Sequence, residues 1–406
     1  MKKVYIRSVG CIDNLLDGKS FATYCRENGW EVVDNPKKAD MILLNTCAFD
    51  QKHEDISIKD IEELKEYPNA ELVVTGCLPK INKDRMDHVF GGRYFSPKER
   101  EKLKEIIGGK TKVRWKDQNT ISDSEIEELF HRRLVHSLTK LRNTVYKYTR
   151  VKIFPNFDMA DLAGDQESYF IVVGEGCLGN CSYCAIKNAK GTLVSKPIED
   201  AVQELKNGVA KGFKRFVVTA DDTGAYGIDL GTTLPALIKK LVAVEGDFKL
   251  NLYHLEANWL IKYGKELEDV FTSKKIDAVF SPIQSGSNRI LKLMRRPYTA
   301  ESYIACIRDL RRKVPNLKLW NQFIIGFPGQ TEEDFKQDLR ILDELKFDLV
   351  QAFAYSDRPG TEASKMENHI PEDVINKRLK RINRKILFKV FLRKLLPVFS
   401  FSGRQK

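Results

Sequence analysis

Residues 168–184 read Ser168-Tyr-Phe-Ile-Val-Val-Gly-Glu-Gly-Cys177-Leu-Gly-Asn-Cys181-Ser-Tyr183-Cys184. Tyr169–Val173 are aromatic or β-branched and end at glycine, the pattern of a short buried strand. That strand runs directly into a loop with three cysteines spaced C-x-x-x-C-x-x-C. An iron–sulfur cube takes four thiolates, one per iron. Three protein ligands leave one iron with a free position, the open arrangement that catalytic metal centres keep. A structural zinc loop is the competing reading, but no fourth ligand lies nearby in the sequence.

Outward from this loop the chain alternates strands with helices. Strands are predicted at Tyr169–Val173, Arg215–Ala220, Lys249–His254, Ile276–Phe280, Leu317–Ile325 and Asp348–Ala354. Helical patterns lie between them at Pro197–Gly208, Leu234–Val244, Trp259–Val270, Ala300–Lys313 and Thr331–Leu345. The last opens on a capping box, Thr331 with Asp334. Six βα units imply a partial barrel with its site at the C-terminal ends of the strands, where the cysteine loop stands.

Towards the N-terminus a second alternation appears: strands Lys3–Arg7, Met41–Asn45 and Glu71–Thr75, helices Leu16–Asn28 and His53–Tyr67. Cys11, Cys47 and Cys77 each follow one of these strands within a few residues. In a parallel sheet the carboxyl ends of the strands share one edge, so three cysteines about thirty residues apart converge on one spot. The fold class is therefore α/β: an N-terminal open parallel α/β sheet domain followed by a partial (β/α)6 barrel. The expected division is 1–120 for the first domain, 121–167 for a connecting segment with a helix at Ser122–Asn143, 168–370 for the barrel, and 371–406 for a basic amphipathic helix. In that last helix Ile375, Leu379, Ile382, Ile386 and Val390 fall on one face among nine Lys or Arg between Lys377 and Lys394. A helix docked on the barrel is the plain reading; a nucleic-acid or membrane contact is the other.

The 406 residues carry eight cysteines and a net charge of +12. The chain has no apolar run long enough to span a membrane and no signal-peptide pattern at its start. A cytoplasmic location is expected, where spaced cysteines read as metal ligands before disulfides. The positive charge suits an acidic partner and equally suits a lysine-rich surface.

The Cys177–Cys184 run resembles the signature of radical S-adenosylmethionine (SAM) enzymes. Gly10-Cys11-Ile-Asp-Asn14, Asn45-Thr-Cys47-Ala48 and Val74-Thr-Gly-Cys77 resemble the cysteine motifs of the methylthiotransferase family within that group. So do Lys190-Gly191, Ser195-Lys-Pro197, Thr223-Gly-Ala-Tyr-Gly227, Pro282-Ile-Gln-Ser-Gly-Ser287, Gly326-Phe-Pro-Gly329 and Tyr355-Ser-Asp-Arg-Pro-Gly-Thr361. The resemblance implies a transferase that replaces a C–H bond with C–SCH₃, using two SAM molecules. It implies two [4Fe–4S] clusters, one on Cys177, Cys181 and Cys184 and an auxiliary one on Cys11, Cys47 and Cys77. It also implies an electron donor such as flavodoxin or ferredoxin.

Further residues carry less specific expectations. Tyr183, Gln284, Ser285, Gly286, Ser287 and Gly326 are candidate SAM contacts; Gln284–Ser287 and Gly326 read equally as plain turns. Asp221 and Asp222 stand where the family usually has Gln-Asp, so they are expected either to face the substrate or to pair with a lysine. His254 and Glu256 read as an ordinary polar strand end, and Cys25 and Cys306 as buried structural thiols. Family members generally continue into a TRAM β-barrel, for which this sequence leaves no room after the basic helix. That difference favours a peptide or protein substrate, for example a ribosomally made precursor peptide, with an anticodon-loop tRNA adenosine as the alternative.

Overall fold

The computed structural model describes residues 1–109, 120–121 and 168–392, with side chains to 389. The helix expected at Ser122–Asn143 and the Val390 side chain lie outside the described residues. The first sheet has β1 (Lys3–Ser8), β2 (Glu31–Val33), β3 (Met41–Thr46) and β4 (Glu71–Gly76) in the order β2-β1-β3-β4, all parallel. β2 was not foreseen: three half-buried residues at a sheet edge are too short for a periodicity signal. Helices α1 (Ile12–Glu27), α2 (Gln51–Leu64), α3 (Leu78–Ile81), α4 (Lys83–Asp87) and α5 (Lys102–Ile107) complete this half. α1 begins four residues earlier than its apolar pattern. Its N-cap is Cys11, with extended backbone and no side-chain cap.

The second sheet has β5 (Thr120–Ile121), β6 (Ser168–Val172), β9 (Arg215–Thr219), β10 (Lys249–Leu252), β11 (Ile276–Phe280), β12 (Lys318–Ile325) and β13 (Leu349–Ala354). A short antiparallel ribbon of β7 (Gly174–Glu175) and β8 (Val194–Ser195) stands apart from it. The order is β13-β12-β11-β10-β9-β6-β5, parallel from β6 to β13. β5 runs antiparallel on β6, so Thr120 pairs with the second sheet although the sequence put it at the end of the first domain. Helices α6 (Ile186–Lys190), α7 (Ile198–Ala210), α8 (Leu234–Ala243), α9 (Ala257–Phe271), α10 (Asn288–Leu293), α11 (Ala300–Lys313), α12 (Glu332–Glu344) and α13 (Glu372–Ile386) follow.

Strand alternation divides the packing between two faces. Tyr169, Ile171 and Val173 join the large core under the outer helices, whereas Phe170, Val172 and Val217 turn to the concave face. There they meet Leu16, with Ile12 and Leu15 beside it. The open barrel is therefore filled by the first turns of α1, the helix that starts at Cys11. The reciprocal insertion is α6: Ala185 and Ala189 are buried in the first domain's core with Cys47, Cys77, Leu78 and Ile81. Each half thus completes the other's core.

α13 takes the docked position. Ile375 and Ile382 are buried, Leu379 and Ile386 pack on the barrel core, and Arg381 and Lys385 pair with Glu332 and Asp343 of α12. Its axis continues as a π turn, Leu387–Leu392. Among the described residues no helix is long and apolar enough to cross a membrane.

Candidate functional site

The first three cysteines meet at the carboxyl edge of the first sheet. Val9 N donates to Asn45 O at 2.9 Å and Cys77 N to Thr46 O at 2.9 Å, which ties the three strand ends together. Asn14 is the hub: its side-chain amide donates to Val9 O (2.8 Å) and Thr46 O (2.9 Å), and its main-chain carbonyl accepts from Asn45 Nδ2 (2.7 Å). Ser57 both donates to and accepts from the Cys47 backbone. Gly10, at φ +104°, lies so close that a Cβ would collide with Cys47 Cβ and Sγ. Only glycine combines that backbone with that approach.

Burial pushes the thiols of Cys11 up to about 11 and Cys77 up to about 12, and raises Cys47 well above its ordinary value. After burial, the neighbouring thiols act on one another: Cys11 and Cys77 on Cys47, and Cys11 on Cys77. Backbone N–H groups pull the other way, that of Asn14 on Cys11 and that of Phe49 on Cys47. N–H groups directed at sulfur favour the thiolate, the form that binds metal.

The second trio sits on the loop after β7. Gly176, at φ +76°, lets the loop press against Thr192 O. Gly179 N donates to Cys177 Sγ at 3.1 Å. Burial raises Cys177 to about 12 and Cys184 to about 11, with N–H groups of Gly179 and Ile186 opposing. Cys11 and Cys184 have exposed surface and yet are strongly raised by burial. Both hold together for side chains lining a recess enclosed by protein.

Each trio thus offers soft sulfur donors with N–H groups aimed at them, and this donor set fits an iron–sulfur cube. Among the described residues no three Cys, His, Asp or Glu stand at single-ion spacing. A cube does not require it, because each thiolate binds a different iron. Cys25 and Cys306 differ: Cys25 is buried in the first domain's core, and Cys306 donates to Leu260 O at 3.7 Å.

Several expected contacts turn inward instead. The two Asp221 carboxylate oxygens take Gly176 N at 2.8 Å and Lys190 Nζ at 3.0 Å, which is the lysine pairing that the sequence left open. Asp222 accepts from Gly224 N (3.2 Å) and Trp259 Nε1 (2.8 Å) and is buried. Neither is a free, substrate-facing carboxylate. Ser285 Oγ and Gly286 N donate to Asp338 at 2.7 and 2.6 Å, and Ser287 donates to Asp334 at 2.7 Å while capping α10. These three form a turn braced on α12. Gly326, at φ +82°, leaves room for Ile375 of α13 where a Cβ would stand.

Gln284 differs from its neighbours. It is buried at φ +70° with no partner for Oε1 among the described residues, a strained, unsatisfied polar group at a strand end. Tyr183 is held by Arg296, whose Nη2 donates to its hydroxyl at 2.6 Å while Nη1 pairs with Glu256 at 2.8 Å. His254 is also left-handed, at φ +52°, and its ring nitrogen faces Ala220 O.

Four buried cations organise the site, and the sequence showed them only as part of a basic excess or inside quoted motifs. Arg296 steadies the second cysteine loop. Arg100 bridges Asp17 (2.9 Å) and Glu175 (2.7 Å); Lys190 bridges Asp13 (3.3 Å) and Asp221 (3.0 Å); Arg358 pairs with Glu54 (2.6 Å). The last three join the two halves of the chain. A cleft of about 910 Å³ at this junction is lined by Lys98, Arg100, Glu175, Lys187 and Lys190 among others.

The Radical SAM superfamily matches residues 171–342, and the uncharacterized protein family UPF0004 matches residues 3–93. A probable threonylcarbamoyladenosine tRNA methylthiotransferase of Methanocaldococcus jannaschii is 34% identical over 90% of this chain and 78% of its own length. Its counterpart from Pyrococcus horikoshii is 31% identical over 95% and 84%. The ribosomal protein uS12 methylthiotransferase RimO of Clostridioides difficile is 32% identical over 92% and 80%. Among solved structures, the radical SAM methyltransferase TsrM from Kitasatospora setae has a TM-score of 0.60 at 14% identity, over 90% of this chain and 77% of that one; this likeness concerns the fold alone. None of these relatives is named for a precursor peptide, so the preference for such a substrate is not supported. The chain belongs to the radical SAM methylthiotransferase family, whose sulfur-transfer chemistry uses SAM and two [4Fe–4S] clusters.

Proposed function

We propose that this enzyme adds a methylthio group to an adenosine of tRNA, the threonylcarbamoyl-modified adenosine for which its archaeal relatives are named. The observation that carries this reading is similarity over 90% and 95% of the chain to those two proteins. The net charge of +12 and the lysines of the interdomain cleft suit a phosphate-rich partner. A ribosomal protein is the second reading, favoured by the 32% identity to the uS12 enzyme.

On this proposal Cys177, Cys181 and Cys184 hold the cluster that binds SAM, and Cys11, Cys47 and Cys77 hold the auxiliary cluster. Bound there, the clusters and SAM supply reductive SAM cleavage, removal of the substrate hydrogen, and the sulfur that is methylated and transferred. The chain's own residues fix the geometry. α6 starts two residues after Cys184 and buries Ala189 in the same core as Cys47 and Cys77, so it spaces the two trios. Asn14 and Gly10 hold the Cys11 and Cys47 loops together. Arg296 orients Tyr183 in the second loop, and the free Gln284 oxygen is a ready acceptor for a SAM donor group. A low-potential donor of flavodoxin or ferredoxin type delivers the electron.

The test is nucleoside mass spectrometry of tRNA from cells with and without the gene, with uS12 peptides measured in parallel. The methylthio derivative of threonylcarbamoyladenosine is expected only with the gene present. Modified uS12 beside unmodified tRNA would overturn the substrate while leaving the reaction class intact.

A further inference from the structure

Lys190 ends α6, the helix that begins just after one cysteine trio and is buried against the other. Its side chain is 7% exposed, and its ammonium lies between Asp13, two residues beyond Cys11 on α1, and Asp221, just past the end of β9. The two carboxylates come from different halves of the chain. Asp221 also accepts from Gly176 N, next to Cys177. One buried cation therefore connects the root of the Cys11 loop, the root of the Cys177 loop and the barrel rim. It is also close enough to Cys11 and Cys77 for its charge to act on both.

Three thiolates gathered in a low-dielectric recess repel one another, and an iron–sulfur centre becomes more negative on reduction. A fixed positive charge beside it favours the reduced form, and a fixed negative charge opposes it. We propose that Lys190 is a positioning residue for the auxiliary centre: it pins the Cys11 loop to the barrel rim and holds positive charge against the Cys11 and Cys77 sulfurs. Asp221 is its counterweight, anchoring the ammonium while adding one negative charge on the barrel side. This inference rests on the assignment of Cys11, Cys47 and Cys77 to the auxiliary cluster.

The experiment uses the full chain with Cys177, Cys181 and Cys184 all changed to alanine, so that one cluster remains, reconstituted anaerobically and titrated by EPR. Iron analysis comes first. A chain holding no iron would refute the cysteine assignment itself, and the present proposal with it. With the cluster present, Lys190→Met is expected to disfavour reduction at least tenfold, about 59 mV downward for one electron. Lys190→Arg should stay near the parent. Asp221→Asn, nearly isosteric and with the ammonium intact, should shift the potential upward. Shifts of opposite sign do not follow from a merely structural role. Potentials that all coincide with the parent's would overturn the proposal, whatever happens to turnover. Should Lys190→Met fail to fold, Asp221→Asn decides: an upward shift supports it, and no shift overturns it.

Discussion

Replacing Gly10 with alanine tests how closely the Cys11 and Cys47 loops must approach. Gly10 has φ +104°, outside the range an L-residue adopts without strain, which costs about 1–3 kcal/mol. The added methyl also lands on Cys47 Cβ and Sγ, inside a packed core, and such overpacking costs about 1–3 kcal/mol. The sum, about 2–6 kcal/mol, overlaps only the lower end of the roughly 5–15 kcal/mol by which domains of ordinary stability fold, so the chain is expected to fold with Cys47 displaced. Gly29 is the internal control: its φ is +80°, but nothing lies within 4 Å of a Cβ there, so Gly29→Ala carries backbone strain alone. Urea unfolding is expected to rank parent, Gly29→Ala and Gly10→Ala in falling stability. Iron analysis after anaerobic reconstitution should give about eight irons per chain for the first two and about four for Gly10→Ala, at four per cube. Gly10→Ala should still release 5′-deoxyadenosine but add little methylthio product. A Gly10→Ala chain with eight irons and full product would refute the reasoning.

Arg358→Met leaves Glu54, 1% exposed, with Arg85 as its remaining charged partner at 2.5 Å. The expected loss is about 3 kcal/mol in urea unfolding, the lower end for breaking a buried pair; an unchanged midpoint would show that the pair does not hold the halves together. Ala189→Leu adds bulk at a wholly buried position in the core that α6 shares with Cys47 and Cys77, at about 1–3 kcal/mol. The ratio of 5′-deoxyadenosine to methylthio product should rise, whereas Ala210→Leu, at an exposed residue ending α7, should leave it alone. Burial works against the charged form of Asp334, but hydrogen bonds from Arg289, Ser287 and Thr331 outweigh it and hold the carboxyl at about 2, below its ordinary 3.8. A depressed acid stabilises the fold above pH 4, and that contribution fades as pH falls from 4 through 2. Asp334→Asn should therefore cost about 1–2 kcal/mol at pH 7 and clearly less at pH 3, allowing for solvent screening; an equal cost at both would contradict the sign.

Much of the architecture was legible because period-2 strands and 3.6-period helices alternate strongly. Arg215–Ala220 was expected and Arg215–Thr219 is found; Asp348–Ala354 was expected and Leu349–Ala354 is found. The gathering of Cys11, Cys47 and Cys77 was also legible, since cysteines just beyond parallel strands share an edge, and Cys177, Cys181 and Cys184 are neighbours on one loop. What escaped was partnership across long sequence gaps. A Gln-Ser-Gly-Ser turn announces itself, but not that Asp338 and Asp334, some fifty residues later, take its hydroxyls. Gly326 declares close approach, but not that Ile375 is what approaches. Arg100 and Arg296 looked like ordinary members of a basic composition, and Lys190 and Arg358 stood inside motifs that name no partner, until the fold set carboxylates against them. β2 and α6, three and five residues long, span too few repeats of the strand or helix period to reveal themselves.

The central claim is that the two cysteine trios do different work in one cavity. It is tested most directly by comparing Cys47→Ala and Cys181→Ala, each reconstituted anaerobically and given SAM, reductant and substrate tRNA, with 5′-deoxyadenosine and methylthio nucleoside measured together. Cys47→Ala is predicted to form 5′-deoxyadenosine and no methylthio nucleoside, and Cys181→Ala to form neither. Methylthio product from Cys47→Ala at the parent's level would contradict the account.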